Sequence, residues 1–138
     1  MPYLFDTDAI SEVLKRRPVP AYVRWLESVA REDQFASAVS FGELYRGAFR
    51  SPHREKHLQQ IETRLLPALT VLPYDSAVAR VYGELAATLE QQGRRLADAD
   101  LQIAATAVHH GLELVTGNIR HFERVPRLTL NRVLADAR

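Results

Sequence analysis

The feature that most constrains the fold is a repeated pairing of a short apolar run with a helical pattern. The first run is Tyr3-Leu-Phe5, and helical spacing of apolar residues follows it as far as Pro18. The second run is Phe35-Ala-Ser-Ala-Val39, which is followed by Ser40-Phe-Gly-Glu43, a sequence that matches the capping box of a helix. Strands that alternate with helices predict a mostly parallel sheet with helices on both faces.

The same alternation continues along the rest of the chain. Further helices are predicted from Pro20 to about Arg31, over Leu58–Leu69, after a cap at Asp75, and from Leu96 to His110 with Gly111 as the C-terminal cap. Further strands are predicted at Thr70–Leu72, Leu112–Thr116 and Leu128–Leu130. We therefore expect an α/β fold of three layers around a mostly parallel sheet of about four to five strands.

Length and composition narrow the class of protein. The 138 residues fit a single domain, 1–138, and the absence of cysteine excludes disulfides and thiolate metal sites. No apolar stretch approaches the ~20 residues of a membrane span, and no leader pattern follows Met1, so we expect a cytoplasmic protein with no membrane partner. Because the formal net charge is only +1, nucleic-acid binding would depend on local basic patches.

Polar residues follow the predicted strands. Asp6 ends the first strand, Glu43 opens the helix after the second, Asp100 lies at the start of a later helix, and Asn118 follows the fourth strand. Adjacent central strands of a parallel sheet would bring these positions into one crevice. Clustered oxygen ligands suit Mg²⁺ or Mn²⁺, which can activate water for phosphodiester hydrolysis.

Each of these residues also has a structural interpretation. Asp6 and Asn118 fit turns, and Glu43 fits the glutamate of the capping box. Asp8 and Asp98 are well placed as helix N-caps. Asp100 is harder to explain in this way, because it shares a helix face with apolar residues expected to contact the sheet.

Basic residues occur in several short groups, and such groups are commonly solvated surface. Arg46 and Arg50 are one helical turn apart after Glu43, so they are candidates to flank the crevice and hold backbone phosphates. The others are Lys15-Arg-Arg17, Arg54, Arg94-Arg95 and Arg120.

Four segments resemble those of VapC toxins, which are PIN-domain ribonucleases. They are Phe5-Asp-Thr-Asp-Ala-Ile-Ser11, Ser40-Phe-Gly-Glu-Leu44, Asp98-Ala-Asp-Leu-Gln-Ile-Ala-Ala-Thr-Ala107 and Leu114-Val-Thr-Gly-Asn-Ile-Arg-His-Phe122. All four occur in the family's order, and together they extend over essentially the whole chain. The resemblance implies a PIN-like α/β/α domain and an Mg²⁺-dependent endoribonuclease, the toxin of a type II toxin–antitoxin system.

Carried over by position, the resemblance implies that Asp6 and Asp100 bind Mg²⁺, with Mn²⁺ as a substitute. Glu43 would complete the acidic site and position water, while Thr116 and Asn118 would supply polar contacts nearby.

The chain departs from the family at two positions. Many members have aspartate at the position of Asn118 and an acid at that of His121, and Asp98 could compensate through a water molecule. The resemblance further implies an RNA substrate, a VapB-like antitoxin and a homodimer. Tyr22 and Trp25 are candidate partner contacts, with core packing as the alternative.

Two other functions remain open from the sequence. One is a PIN-like RNA- or partner-binding module without catalysis, suggested by Asn118. The other is a haloacid-dehalogenase-like phosphatase, because Asp6 and Asp8 after a strand imitate its nucleophile and general acid. Against the phosphatase, neither Lys15 nor Lys56 follows a later strand.

Overall fold

The computed structural model describes residues 2–138, which are organised around a five-stranded sheet. The strands are β1 (Tyr3–Phe5), β2 (Gln34–Ser37), β3 (Thr70–Leu72), β4 (Glu113–Val115) and β5 (Leu130–Asn131). They lie in the order β3-β2-β1-β4-β5, and each neighbouring pair is parallel. The predicted α/β class and parallel sheet are confirmed.

Helices connect the strands and cover the sheet. They are α1 (Thr7–Glu12), α2 (Pro20–Glu27), α3 (Ala38–Arg50), α4 (Arg54–Gln60), α5 (Leu66–Ala68), α6 (Ser76–Gln91), α7 (Asp98–His110), α8 (Ile119–Phe122) and α9 (Val133–Ala137). A π-helical segment, Ile61–Leu65, joins α4 to α5, and a 3-10 turn, Arg31–Asp33, precedes β2. Within residues 2–138, no helix combines the length and the apolar character needed to span a membrane.

Local signals explain where two long helices begin and end. The Asp75 carboxylate accepts a hydrogen bond from the Val78 amide at 3.0 Å, as expected for the cap of α6. Gly111 has a φ of 66°, the left-handed conformation that glycine adopts without strain, and it ends α7. Both predicted caps are confirmed.

Several predicted boundaries were wrong by a few residues. The second strand stops at Ser37, not Val39, because the Ser37 hydroxyl accepts from the Val39 amide and begins α3 there. The helix after Pro20 ends at Glu27 rather than near Arg31. The last strand is Leu130–Asn131, where pairing with β4 sets the register.

The core has one part on each face of the sheet. Successive strand residues point to opposite faces, so Leu4 packs with α6 and α7 while Phe5 packs with α1 and α2. Tyr22 is fully buried in the second part, and its hydroxyl donates to the Ala9 carbonyl at 2.9 Å. The suggestion that Tyr22 contacts a partner was therefore wrong. Trp25 packs edge-on against Tyr3 in the same part of the core.

The strand order places a crevice beside the central strand. From β1 the chain proceeds outward to β2 and β3, then returns to add β4 and β5 on the other side of β1. The reversal leaves an opening between β1 and β4 at their carboxyl ends, where ligands of open α/β sheets commonly bind.

Candidate active site

A cavity of about 260 Å³ lies at the carboxyl ends of β1 and β4. Its lining contains four carboxylates from three separate segments. The lining residues are Asp6, Thr7, Asp8, Glu43, Asp100, Asn118, His121 and Phe122. The sheet thus brings together the four predicted site residues, although they span more than a hundred positions. They are Asp6, Glu43, Asp100 and Asn118.

Asp6 is the buried member of this site. It is 5% exposed, and its Oδ1 accepts from the Ala9 amide at 2.8 Å, which makes it the N-cap of α1. The prediction that Asp8 caps this helix was wrong, because the helix begins at Thr7 and Asp8 lies in its first turn.

The protonation of Asp6 reflects its surroundings. Burial raises its pKa from 3.8 to about 6, hydrogen bonds from the Thr116 side chain and the Ala9 amide oppose this rise, and the charges of Asp8 and Asp100 add to it. A cation in the crevice would favour the ionised form, because it would offset both the desolvation and the neighbouring negative charges.

Glu43 is free of the helix-capping role considered for it. The N-cap of α3 is Ser37, so Ser40 lies inside the helix and the predicted capping box does not form. The Ser40 hydroxyl is buried and has no hydrogen-bond partner within residues 2–138. Glu43 is exposed at the crevice, where its Oε1 accepts from the Thr7 hydroxyl at 2.6 Å. This contact joins α3 to the start of α1.

Asp100 is paired with a histidine from α8. His121 Nε2 lies 2.9 Å from Asp100 Oδ2, and both side chains are partly exposed. Asp98, considered as an auxiliary metal contact, lies outside the cavity lining and accepts from the Tyr82 hydroxyl at 2.8 Å. Nor does Asp98 cap α7, which begins at this residue with Ala97 as its N-cap. Of these two acids, only Asp100 belongs to the site.

Thr116 and Asn118 form the wall after β4. Thr116 is fully buried, and its hydroxyl accepts from the Asn118 amide at 3.0 Å and hydrogen-bonds to Asp6. The Asn118 side chain accepts from the His121 amide at 3.3 Å, which caps α8. The turn therefore connects Asp6 with the segment that carries His121.

Two participants could not be found from local sequence signals. No local pattern distinguishes Thr7 from other helix residues, and its role depends on the hydrogen bond to Glu43. Arg138 binds both oxygens of Asp8 across 130 positions, at 2.7 and 2.9 Å. No spacing pattern connects residues so far apart.

Comparison with known proteins identifies the family. The model of the PIN domain matches residues 3–128, most of the chain. The chain belongs to the PIN-domain family.

The PIN domain has several well-matched relatives. It is 37% identical to ribonuclease VapC2 of Haemophilus influenzae over 123 residues, covering 89% of this chain and 91% of the relative. It is 35% identical to toxin FitB of Neisseria gonorrhoeae over 124 residues, covering 86% and 89%. VapBC2 of Rickettsia felis, solved on a DNA fragment from its promoter, superposes with a TM-score of 0.87 at 30% identity over 95% of this chain and 98% of that one.

The donor set of this PIN domain fits a hard divalent cation with retained waters. Within residues 2–138, no three acidic or imidazole side chains are grouped closely enough to hold one ion by themselves. Mg²⁺, however, is usually held by one or two carboxylates and keeps several waters. Over the same residues, Glu43 Oε2 and Asp100 Oδ1 have no hydrogen-bond partner and can accept from such waters.

The dehalogenase-like alternative is wrong for this chain. The protein has the PIN fold, and Asp8, which would be the general acid, has both carboxylate oxygens bound to Arg138. The Asp6-Thr-Asp8 sequence resembles the phosphatase motif only locally.

Proposed function

We propose that this protein is an endoribonuclease, the toxin of a type II toxin–antitoxin pair, which hydrolyses RNA phosphodiester bonds in the crevice between β1 and β4. The observation that carries the proposal is the meeting of Asp6, Glu43 and Asp100 at the sheet reversal of a PIN domain. Relatives that bear the names ribonuclease VapC and toxin FitB support it.

Asp6 and Asp100 are the residues proposed to hold Mg²⁺, with Mn²⁺ as a substitute. When bound, the metal would offset phosphate charge and lower the pKa of a coordinated water. Carboxylate oxygens are its preferred protein ligands, and the chain contains no cysteine.

The other residues of the crevice orient these acids. The Ala9 amide and the Thr116 hydroxyl fix the Asp6 carboxylate, and His121 fixes one oxygen of Asp100. Glu43, which is exposed and accepts a hydrogen bond from Thr7, is proposed to accept a proton from an attacking water. Asn118 closes the wall of the crevice and is proposed to contact the substrate.

The proposed partners are RNA and a VapB-like antitoxin. Solved relatives are toxin–antitoxin complexes, including VapBC2 of Rickettsia felis and FitAcB of Neisseria gonorrhoeae. A groove of about 430 Å³ between α1, α3 and α4 shares Thr7 and Glu43 with the crevice, so an antitoxin segment in this groove would restrict access to the acids. We also propose a homodimer in the cytoplasm, where RNA is available; sedimentation of the purified toxin tests the dimer.

The decisive test compares cleavage of tRNA, ribosomal RNA and synthetic RNA by antitoxin-free protein, with Mg²⁺ or with EDTA. We expect cleavage only with metal, and its loss in Asp100→Asn. The matched control is Asp136→Asn, the same change at an exposed residue of α9, which should retain activity. Equal cleavage by wild type and Asp100→Asn would contradict the proposed site.

The second candidate function is an RNA- or partner-binding module without catalysis. It is favoured by Asn118, an amide where the VapC resemblance implies an aspartate, and by the absence of a compact three-ligand metal group among residues 2–138. Folded wild-type protein that binds metal and RNA but cleaves no RNA of the panel would support this module over the nuclease.

A further inference from the structure

Arg138, directly after α9, reaches the start of α1 from the far end of the sequence. Its Nη1 donates to Asp8 Oδ2 at 2.7 Å, and its Nη2 donates to Asp8 Oδ1 at 2.9 Å. This is the two-point geometry in which guanidinium and carboxylate bind most strongly. Nη2 also donates to Glu12 Oε1 at 2.8 Å. One guanidinium therefore binds two acids that are one turn apart on α1.

Glu12 provides a rigid anchor for this contact. It is 1% exposed and also accepts from Lys15 Nζ at 2.9 Å and from the Val19 amide at 3.0 Å. A buried carboxylate is stable only when it is paired and hydrogen-bonded. Since Glu12 is held from three directions, it fixes the position of Arg138 on α1.

The turn after β4 is shaped around the same guanidinium. A Cβ atom on Gly117 would lie 2.1 Å from Arg138 Nη1 and 2.7 Å from Asp8 Oδ2. Glycine at this position thus leaves the space that the ion pair occupies. Thr116 and Asn118 flank Gly117, so Arg138 contacts both segments that border the crevice.

The start of α1 carries two groups of the proposed mechanism. Asp6 is its N-cap, and Thr7 donates to Glu43. Asp8 also lines the crevice, but Arg138 binds both of its oxygens.

We propose that Arg138 is a positioning residue for RNA cleavage, which fixes the start of α1 through Asp8 and Glu12 and keeps Asp8 out of the metal-binding set. This inference rests on the proposed ribonuclease function. Arg138 acts on catalysis through Asp6 and Thr7, without touching RNA, because its guanidinium is bound to carboxylates.

The kinetic test measures kcat and KM for one RNA oligonucleotide with Arg138→Gln, Asp8→Asn and the double variant. Small misplacements of catalytic groups lower turnover strongly, so each single change should reduce kcat by about ten- to a hundredfold while KM stays within about twofold. Because the two residues act as one unit, the double variant should be no worse than Arg138→Gln. Arg138→Lys should restore only part of kcat, since lysine lacks the two-point fork.

Two features keep this test interpretable. Asp8→Asn weakens the contact between Arg138 and residue 8 but retains the pairing of Arg138 with Glu12. It therefore leaves no unpaired carboxylate in the core. Arg132→Gln is the matched control, because Arg132 is exposed at the start of α9, the helix that Arg138 follows. Within residues 2–138, its side chain pairs only with Asp136, at 3.6 Å. The control should leave kcat and KM unchanged.

A second measurement does not depend on activity. Amide exchange at Ala9 and Ile10, which donate to Asp6, should become about tenfold faster in Arg138→Gln, while exchange in β1 and β4 stays unchanged. Mn²⁺ titration followed by EPR should show weaker binding in the same variant.

Three results would overturn the positioning role. They are unchanged exchange at Ala9, uniformly faster exchange across the sheet, and a rise in KM with a smaller salt dependence, which would assign Arg138 to RNA binding. If wild type itself fails to cleave RNA, the proposed function fails, and the exchange and Mn²⁺ results still decide whether Arg138 fixes α1.

Discussion

Removing the Thr7 hydroxyl should disturb the orientation of Glu43 while the protein still folds. It donates to Glu43 at 2.6 Å, and a hydrogen bond to a charged group is worth about 1.5–3 kcal/mol. Thr7→Val should therefore lower kcat about tenfold, whereas Thr7→Ser should retain most activity. Ser11→Ala, one turn further along the groove, is the control. Normal cleavage by Thr7→Val would mean that Glu43 needs no orientation by α1.

The Glu12 carboxylate should make the free energy of unfolding depend on pH in the acid range. Burial tends to raise its pKa, but hydrogen bonds from Arg138, Lys15 and the Val19 amide lower it from 4.5 to about 2. Because the folded-state pKa lies below the unfolded value, this stabilisation is fully present above pH 4.5 and is lost as pH falls towards 2. Glu12→Gln should cost about 1–3 kcal/mol at pH 7.

Urea unfolding of wild type and Glu12→Gln from pH 7 to pH 3 measures this effect. The difference in unfolding free energy should shrink below pH 4.5. A difference that stays constant over this range would show that the Glu12 charge does not contribute to stability.

The acidic residues of the site were predictable from the sequence, whereas the residues that hold them in position were not. Asp6, Glu43 and Asp100 could be proposed because parallel strands end at one edge. Arg138 could not, because its partner Asp8 lies 130 positions away and nothing local indicates the pairing. Asp6 and Asp8 both fit an N-cap, and only the observed hydrogen bond to the Ala9 amide decides between them.

Alanine should have opposite effects on stability at two glycines, one in the turn between β4 and α8 and one in α6. Gly117→Ala places a methyl group against the Arg138–Asp8 pair, and such overpacking costs about 1–3 kcal/mol. Gly83→Ala, in exposed space on α6, meets nothing within 4 Å and should stabilise the protein by about 0.5–1 kcal/mol through helix propensity. Urea midpoints of the two variants should therefore move in opposite directions. A stabilised Gly117→Ala would show that the ion pair moves aside freely.

Strand and helix types were predictable, but their ends depended on tertiary contacts. The sequence supports a strand through Val39, yet Ser37 caps α3 and ends β2 earlier. Pairing with Leu114 and Val115 determines where β5 forms, and an isolated segment carries no information about that register.

At the scale of the whole molecule, the parallel sheet was predictable but its strand order was not. Parallel strands need crossover connections, which the predicted helices supply, and each neighbouring strand pair is parallel. The reversal that puts β4 beside β1 depends on how two parts of the core pack on opposite faces. The crevice exists because of that reversal, so its acids could be proposed from sequence only by assuming adjacent central strands.

The distribution of charge over the whole molecule should determine how strongly RNA binding depends on salt. With a net charge of +1 and an acidic crevice, attraction of RNA must come from local cations. Arg46 and Arg50 are exposed on α3, three and seven residues after Glu43, and so continue along its face of the helix. Neither has an ion-pair partner within residues 2–138, which leaves both able to bind phosphates.

Arg46→Gln and Arg50→Gln should each raise KM with little change in kcat, because they remove contacts to the RNA backbone far from the reacting bond. Each lost phosphate contact should reduce the slope of log affinity against log salt by about 0.7 for a single strand. Arg80→Gln, on α6, is the control with the same charge change. If the control lowers the slope as much as Arg46→Gln does, RNA responds to overall charge, and α3 does not form its binding surface.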